Sequence, residues 1–226
     1  MTLTNHRMDA DGVQAAFLAA LGAADTHETP YPHWLLDAVF PGEAIASLQT
    51  LPFPAPDLEG VSGTREAHNA TRVYFDLDNR GRHPVCEAVA AAFQAPAMVA
   101  HLQQACGADL EGTYLRIEYA QDIDGFWLKP HTDIGVKRFT MLVYLSDGPG
   151  QEGLGTDIYA DADTWIGRSP FGPNKAMVFV PSDRSWHGFE PRAIAGVRKS
   201  LIVNYVTTDW RAREQLSFPD TTVTAG

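Results

Sequence analysis

Apolar side chains recur at helical spacing through the first half of the chain. They lie three and four positions apart in residues 13–21, a segment rich in alanine, and this spacing predicts a helix. Residues 34–51 repeat the pattern around a Pro-Gly pair, so two short helices are expected there. The longest helical pattern covers residues 84–106 and is expected to break or kink at Pro96. Residues 1 to about 110 are therefore predicted to be mainly helical.

Further along the chain, the pattern changes to alternation of apolar and polar residues, which is typical of strands with one buried face. Strands are predicted at residues 113–119, 126–133, 138–145, 156–159, 176–180 and 200–206. Short strands separated by Gly, Pro and Asp are typical of a β-sandwich or barrel. We therefore expect a mainly β protein with N-terminal helices, forming a single domain over residues 1–226. In it, residues of about 1–110 would support a β core of about 111–210.

Composition agrees with a folded protein and narrows the range of partners. Hydrophobic residues make up 45% of the chain, and 28 acidic side chains against 17 Lys and Arg give a formal net charge of −11. A surface of this sign repels phosphate backbones, so nucleic acid is not expected as a partner. No run approaches the ~20 apolar residues of a membrane span, and no secretory signal is recognisable, so we expect a cytoplasmic protein with no membrane partner. The two cysteines, Cys86 and Cys106, are expected to be reduced.

The residues with the clearest chemistry are His131, Asp133 and His187. Side chains two apart in a strand point to the same face, so His131 and Asp133 are expected to project together. His187 follows the predicted strand at 176–180 after a short turn and can supply a second imidazole. Two histidines and one carboxylate cover one face of an octahedral metal ion and leave the opposite positions open, as in non-haem Fe(II) oxygenases.

Arg198 opens the last stretch of strand-like sequence and can supply a fixed cation for a dicarboxylate. Strand alternation puts Arg198, Ser200 and Asn204 on one face, so the Ser200 hydroxyl is expected beside the arginine. Tyr144 shares a face with Thr140 in the strand that follows the histidine motif. It either lines the same site or is an ordinary core aromatic residue.

The His131-Thr-Asp133 triplet, the Ser-Trp-His187-Gly-Phe segment and Arg198 at the start of a strand together resemble the Fe(II)/2-oxoglutarate-dependent oxygenases, most closely their prolyl-4-hydroxylase-like branch. The resemblance covers residues 113–206 well and the N-terminal third only loosely. It implies a double-stranded β-helix, which is a jelly-roll or cupin-like core, braced by the N-terminal helices. It also implies that His131, Asp133 and His187 bind Fe(II), with 2-oxoglutarate and O₂ as cosubstrates.

The same resemblance suggests roles for the remaining site residues. Arg198 would bind the distal carboxylate of 2-oxoglutarate, with Ser200 beside it and Tyr144 as the tyrosine that pairs with the arginine. Tyr119 is similar to a second pocket tyrosine of the family. Alternation puts Glu118 on the face opposite Tyr119, so both residues cannot line one pocket without a bulge.

The reaction implied by the resemblance is hydroxylation of an unactivated C–H bond, with release of succinate and CO₂. Residues 153–159 depart from the glycine pair that many members of the branch carry, which turns the expectation from peptidyl-proline to a small metabolite, an amino acid or its derivative. Alternatives are a hydroxylase of a protein or peptide side chain and a cupin-type metal enzyme that does not use 2-oxoglutarate. The residues that could contact a substrate, or could merely pack, are Arg72, Glu118, Asn204 and Trp210.

Overall fold

The computed structural model describes residues 9–55, 72–133 and 135–226. Within these ranges the helices are α1 (Ala10–Gly22), α2 (Gly42–Gln49), α3 (Leu77–Arg82), α4 (Pro84–Gln94) and α5 (Pro96–Cys106). The strands are β1 (Asp25–His27), β2 (His33–Leu36), β3 (Val73–Tyr74), β4 (Tyr114–Asp122), β5 (Leu128–His131), β6 (Lys137–Tyr144), β7 (Asp157–Tyr159), β8 (Trp165–Arg168), β9 (Ala176–Phe179), β10 (His187–Phe189) and β11 (Arg198–Val206). A short 3-10 helix, Arg213–Gln215, follows the last strand.

Seven strands form an antiparallel sheet in the order β1-β2-β9-β6-β11-β4-β3. Within it β4 and β11 pair over their whole length, with Arg198 opposite Asp122 at one end and Val206 opposite Tyr114 at the other. On the other side of β11, Ser200 lies opposite Tyr144 of β6. This register therefore collects an arginine, a carboxylate and two hydroxyl groups at one end of the sheet.

Four strands form a second antiparallel sheet in the order β5-β10-β7-β8. In this sheet His187 of β10 lies directly opposite His131 of β5. Residues of both sheets line one cavity, among them Ile202 from the large sheet and Leu128 from the small sheet. The two sheets therefore face each other across a shared interior, as in a sandwich.

Helices cover the outer face of the large sheet, and the side chains of β4 explain why. Leu115, Ile117 and Tyr119 are buried in the apolar core that the sheet shares with the helices. Arg116 and Glu118 alternate with them and are directed to the interior between the sheets. The apolar side of the large sheet thus binds the helices, and its polar side is left for the cavity.

The predicted helical pattern over residues 84–106 is confirmed, with its break at Pro96. Proline has no amide hydrogen to continue a helix, so Pro96 begins α5 instead of extending α4, and the two helices meet at 60°. α5 ends at Gly107, whose φ of +69° is a left-handed conformation that glycine adopts without strain. Among the described residues no single helix is long and apolar enough to cross a membrane, although α4 and α5 reach that length as a bent pair.

The prediction of two short helices in residues 34–51 is wrong for its first half. Residues His33–Leu36 form β2, which pairs with β9 from His33 opposite Phe179 to Leu36 opposite Ala176. A short apolar run fits a strand as well as a helix, and here the available partner strand overrides the local pattern. The chain before α2 thus adds two strands to the large sheet. The broader prediction of a mostly β protein with some helices is confirmed.

Cys86 and Cys106 are free thiols, as expected. Cys86 is buried in α4, and Cys106 is half-buried at the end of α5. Burial raises the pKa of both thiols to about 12, so they carry very little thiolate at neutral pH. Both residues act as small apolar packing groups.

Packing of α4 against the rest of the core yields a first prediction. The Phe93 side chain is fully buried, and its ring centroid lies 5.0 Å from that of Phe17 and 6.3 Å from that of Phe40. Because Phe93→Ala would leave a cavity there, we expect it to lower the free energy of unfolding by about 3–5 kcal/mol in urea denaturation. Leu77→Ala, at a side chain that is 59% exposed, is the control and should change it by less than about 0.5 kcal/mol. Equal effects of the two variants would contradict this account of the core.

Candidate metal centre

Two imidazole rings meet where β5 pairs with β10. His131 is the last residue of β5 and His187 is the first residue of β10, and the two are directly opposite in the antiparallel register. Their ring centroids are 4.3 Å apart. Strand pairing, and not proximity along the chain, therefore brings the two side chains together.

Backbone carbonyl groups determine the tautomer of both rings. Nδ1 of His131 lies 2.9 Å from the carbonyl oxygen of Lys129, and Nδ1 of His187 lies 2.9 Å from that of Ser185. A carbonyl oxygen can only accept a hydrogen bond, so Nδ1 of each neutral ring carries the hydrogen and Nε2 keeps its lone pair. Both Nε2 atoms are thus prepared to bind a metal ion.

Asp133 completes a group of three possible ligands. Its Oδ1 atom is 3.8 Å from Nε2 of His131, and its Oδ2 atom is 3.7 Å from Nε2 of His187. One ligand atom from each of the three residues lies within 4.8 Å of the other two. Asp133 lies beyond the end of β5, so the expected strand alternation is not what directs it. Lys137, at the start of β6, donates a hydrogen bond of 2.7 Å to Oδ2 and holds the carboxylate from the large sheet.

Burial determines the charge of His187. Desolvation, followed by the neighbouring His131 ring, lowers the pKa of His187 to about 3. The Phe179 ring, whose centroid is 4.7 Å away, is part of this apolar surrounding. His187 is therefore neutral at pH 7, which is the form that binds a metal ion.

A cavity between the two sheets extends from His187 to Arg198. Its apolar lining includes Phe126, Leu128, Leu142, Phe189 and Ile202. Its polar lining includes Arg72, Asp122, Thr140 and Thr156. The cavity thus connects His187, one of the possible metal ligands, with two buried arginines.

Arg198 is held firmly at its end of this cavity. Its Nε atom donates to the carbonyl oxygen of Leu154 at 2.7 Å, and Nη1 donates to Oδ2 of Asp122 at 2.6 Å. Asp122 also accepts a hydrogen bond of 2.6 Å from Arg72, so one carboxylate is shared by two guanidinium groups. Nη2 of Arg198 makes no hydrogen bond to any residue that the structure describes. This nitrogen can therefore donate to a carboxylate that enters the cavity.

Ser200 and Tyr144 lie beside Arg198. Ser200 is fully buried on the same face of β11, and its hydroxyl group has no hydrogen-bond partner in the described part of the chain. The Tyr144 hydroxyl lies 2.8 Å from Oγ1 of Thr156 and 2.5 Å from Oγ of Ser169. The ring of Tyr144 is centred 5.6 Å from the guanidinium carbon of Arg198. Three of the four residues that the sequence suggested for the cosubstrate are thus brought together.

Tyr119 is the fourth, and the prediction that it lines the pocket is wrong. Its side chain is packed in the helix-facing core, and its hydroxyl group donates to the carbonyl oxygen of Leu48 at 2.9 Å. The pairing of β4 with β11 runs without a bulge, so strand alternation keeps Tyr119 on the face away from the cavity. The neighbouring Ala120 lines the cavity instead.

No protein-family model matches the chain, and no curated protein matches it in sequence. Solved structures do match. A prolyl 4-hydroxylase from Phytophthora capsici has a TM-score of 0.61 and 15% identity, over 93% of this chain and 69% of that one. A prolyl hydroxylase from Trichoplax adhaerens, in complex with a hypoxia inducible factor peptide fragment, has a TM-score of 0.57 and 12% identity, over 87% and 90% of the two chains. A viral collagen prolyl hydroxylase from Paramecium bursaria Chlorella virus-1, in complex with 2-oxoglutarate, has a TM-score of 0.54 and 13% identity, over 78% and 96%.

This chain has the fold of the prolyl 4-hydroxylase-like 2-oxoglutarate oxygenases. The resemblance inferred from the histidine motif is thus confirmed at the level of the fold. Two charged residues near the site, Asp122 and Lys137, were not predicted from the sequence. Both lie at the end of a strand whose pattern gives no indication of a site. The pairing of β4 with β11 is the signal that could have identified Asp122, because it places Asp122 opposite Arg198.

A second buried carboxylate holds β10, and with it His187, in position. Asp157 of β7 has no exposed side-chain surface and accepts hydrogen bonds from Arg168, Arg192 and the Glu190 N–H, at 2.7, 2.6 and 2.7 Å. Burial by itself raises the pKa of Asp157, but the hydrogen bonds from Arg192 and Glu190 and the charge of Arg192 outweigh it and hold the pKa below its ordinary value. The ionised form of Asp157 therefore stabilises the small sheet.

Asp157→Asn tests this role. The variant leaves Arg168 and Arg192 without their counter-charge, so we expect a loss of about 3–5 kcal/mol of unfolding free energy at pH 7. Because the folded-state pKa is depressed, the contribution is present above the ordinary pKa of ~3.9 and disappears as the pH falls through the lower folded-state value. Urea denaturation between pH 7 and pH 2 should therefore show the gap between wild type and variant closing only below about pH 4. Asp183→Asn, the same change at an exposed position, is the control, and a pH-independent gap would contradict the assignment.

Proposed function

We propose that the protein is an Fe(II)- and 2-oxoglutarate-dependent oxygenase that hydroxylates an unactivated C–H bond. One observation carries the proposal: two imidazoles and a carboxylate converge beside a cavity that extends from His187 to a buried arginine. The likeness to prolyl 4-hydroxylases supports it through the fold. The alternative of a cupin-type enzyme without 2-oxoglutarate has no use for the arginine.

The residues fit a catalytic metal ion better than a structural one. A structural zinc site usually closes four protein ligands, and the described residues offer a group of three. Two nitrogens and a carboxylate on one side of the ion leave the remaining positions for a cosubstrate and O₂. The Nδ1 hydrogen bonds of both rings keep the Nε2 lone pairs directed to a common point, which lowers the cost of binding the metal.

The far end of the cavity fits the distal carboxylate of 2-oxoglutarate. Nη2 of Arg198 and the hydroxyl group of Ser200 are two donors that no described residue satisfies, and both belong to one face of β11. Asp122 and Leu154 fix the guanidinium, so little ordering is needed when the carboxylate binds. When bound, the iron with 2-oxoglutarate supplies the activation of O₂, and 2-oxoglutarate leaves as succinate and CO₂. The chain itself positions both reactants and, through the apolar lining of the cavity, excludes water.

The sheet topology supports a double-stranded β-helix as the finer description of the fold. Strands that follow each other along the chain alternate between the two sheets: β4 and β6 lie in the large sheet and β5 between them in the small one, while β9 and β11 lie in the large sheet with β10 in the small one. This alternation is the winding that a jelly roll requires.

For the substrate we propose a small metabolite, an amino acid or its derivative, in keeping with the enclosed and strongly charged interior. A peptide side chain is the second candidate, because the Trichoplax neighbour was solved with a peptide fragment. A cytoplasmic location is proposed as well, and the two free thiols are compatible with it.

The proposal is tested by anaerobic titration of the protein with Fe(II) and then 2-oxoglutarate. We expect the weak visible metal-to-ligand charge-transfer band of a chelated 2-oxo acid. His131→Ala removes a metal ligand and should abolish both Fe(II) binding and the band. His101→Ala, at an exposed position on α5, is the matched control and should retain both. Absence of the band in the wild type would overturn the proposed function.

Arg198→Met separates the cosubstrate from the metal. We expect the variant to bind Fe(II) normally but to bind 2-oxoglutarate about 10–100-fold more weakly, since charged hydrogen bonds of about 1.5–3 kcal/mol are lost. Arg211→Met, at an exposed position, is the control. Unchanged 2-oxoglutarate affinity in Arg198→Met would contradict the assignment and favour a cupin-type metal enzyme that does not use 2-oxoglutarate.

A further inference from the structure

Three buried donors lie together at the other end of β11 from Arg198, and we refer to them as the donor cluster: Arg116, Asn204 and Trp210. Nη2 of Arg116, Nδ2 of Asn204 and Nε1 of Trp210 are buried atoms without a hydrogen-bond partner in the described part of the chain. Arg116 and Asn204 are opposite each other in the register of β4 and β11. The guanidinium carbon of Arg116 is 4.6 Å from the centre of the Trp210 ring.

The other atoms of these side chains are occupied, which fixes the cluster in place. Nε of Arg116 donates to Oε1 of Gln215 at 3.0 Å, and its Nη1 lies 2.7 Å from Oε2 of Glu118. Oδ1 of Asn204 accepts a hydrogen bond of 3.1 Å from Thr140. The Tyr74 hydroxyl group also hydrogen-bonds the Arg116 guanidinium. Within the donor cluster itself, the three atoms left without a partner are all donors.

The donor cluster borders the cavity through Asn204. Thr140, which bonds Asn204, lines the same cavity as His187. Trp210 is only half-buried, so one side of the cluster is near solvent. A molecule held here would place its neighbouring carbon atoms towards the metal centre, while the 2-oxoglutarate end of the cavity lies in the opposite direction along β11.

The charges of the interior call for one further anion. Arg116, Glu118, Arg72, Asp122 and Arg198 form one chain of ion pairs, with N···O distances of 2.7, 3.4, 2.6 and 2.6 Å in that order. Three arginines and two carboxylates leave this chain with one positive charge. A divalent metal ion and the 2-oxoglutarate dianion cancel each other, and Asp133 is balanced by Lys137, so the excess charge persists in the loaded site.

We propose that the donor cluster binds a carboxylate group of the substrate. Buried donors are satisfied by an acceptor in nearly all folded proteins, and a carboxylate offers two acceptor oxygens together with the missing negative charge. This inference rests on the proposed function and narrows it: the substrate is a carboxylic acid of small size, oxidised at a carbon near its carboxylate.

The test uses matched acids and amides. The probes are the twenty L-amino acids and the straight-chain acids of two to six carbons, each paired with its primary amide. They are added anaerobically to the complex with Fe(II) and 2-oxoglutarate, and the shift of the charge-transfer band is recorded. We expect at least one acid to shift the band and its amide to bind about tenfold more weakly or worse. The proposal would be overturned if no acid shifts the band, or if each acid and its amide have equal effects. Either result is expected when ordered water alone satisfies the donors.

Two variants make the test specific to the donor cluster. Asn204→Asp replaces the Nδ2 donor by a carboxylate oxygen on the strand position opposite Arg116, so it should occupy the cluster from within and abolish the response to the acid while leaving 2-oxoglutarate affinity unchanged. Gln215→Glu introduces the same charge against the same guanidinium, but at Nε, and leaves the three unpartnered donors open, so it should retain a response to the acid that is weaker than that of the wild type. An unchanged response in Asn204→Asp would overturn the proposal.

A measurement on the metal-free protein keeps this inference separate from the proposed function. Because Asn204→Asp supplies an acceptor to unsatisfied donors, its Tm should rise by about 2–4 °C. At least one acid of the panel, screened directly by Tm, should raise the Tm of the wild type but not that of Asn204→Asp. A missing charge-transfer band together with these Tm changes would refute the oxygenase and keep the carboxylate site. A normal charge-transfer band together with a lower Tm for Asn204→Asp would support the oxygenase and refute the carboxylate site.

Discussion

The antiparallel register of β5 and β10 is the constraint on which the candidate site depends. It alone sets His131 opposite His187, and the carbonyl groups that flank these residues then orient both rings. A shift of one residue would turn one imidazole to the other face of the sheet. The register is supported from the other side of β10 by Asp157, which is hydrogen-bonded to Arg168, Arg192 and the Glu190 backbone. Stability of the small sheet and chemistry of the site are thus coupled through one buried carboxylate.

In the large sheet, as in the small one, buried carboxylates hold arginine side chains in place. The helix-facing side of β4 is apolar, and its other side carries a chain of ion pairs between arginines and carboxylates. Charged side chains are rarely buried in proteins, because removing them from water costs free energy. Each carboxylate restrains an arginine, and Asp122 restrains two. An arginine held in this way binds an incoming carboxylate without first losing side-chain freedom, which is the physical advantage of building the cavity from ion pairs.

The metal ligands and most of the residues around Arg198 could be predicted from the sequence. The spacing of His131, Asp133 and His187 identified the possible ligands because metal binding constrains residue type strongly. Strand alternation along β11 correctly predicted that Ser200 lies beside Arg198. Along β4, the same alternation predicted that Tyr119 and Glu118 face opposite sides of the sheet. Family likeness kept Tyr119 in the predicted site although alternation opposed it, and the alternation proved correct.

The residues that were not predicted owe their positions to long-range pairing. Asp122 lies opposite Arg198, and Arg116 opposite Asn204, only when β4 pairs with β11, and β2 is a strand only because β9 offers it an edge. No local pattern in the sequence contains this information, since the same apolar residues at 34–36 are compatible with a helix. Arg116 and Asn204 were separate polar residues in the sequence, and the register made them neighbours.

The account is tested most directly by the crystal structure of the protein grown anaerobically with Fe(II) and 2-oxoglutarate. It predicts one iron ion bound by Nε2 of His131, Nε2 of His187 and the Asp133 carboxylate, with the distal carboxylate of 2-oxoglutarate on Arg198 at the other end of the cavity. Iron at any other position, or 2-oxoglutarate bound away from Arg198 while the Asp122 ion pair remains intact, would contradict it.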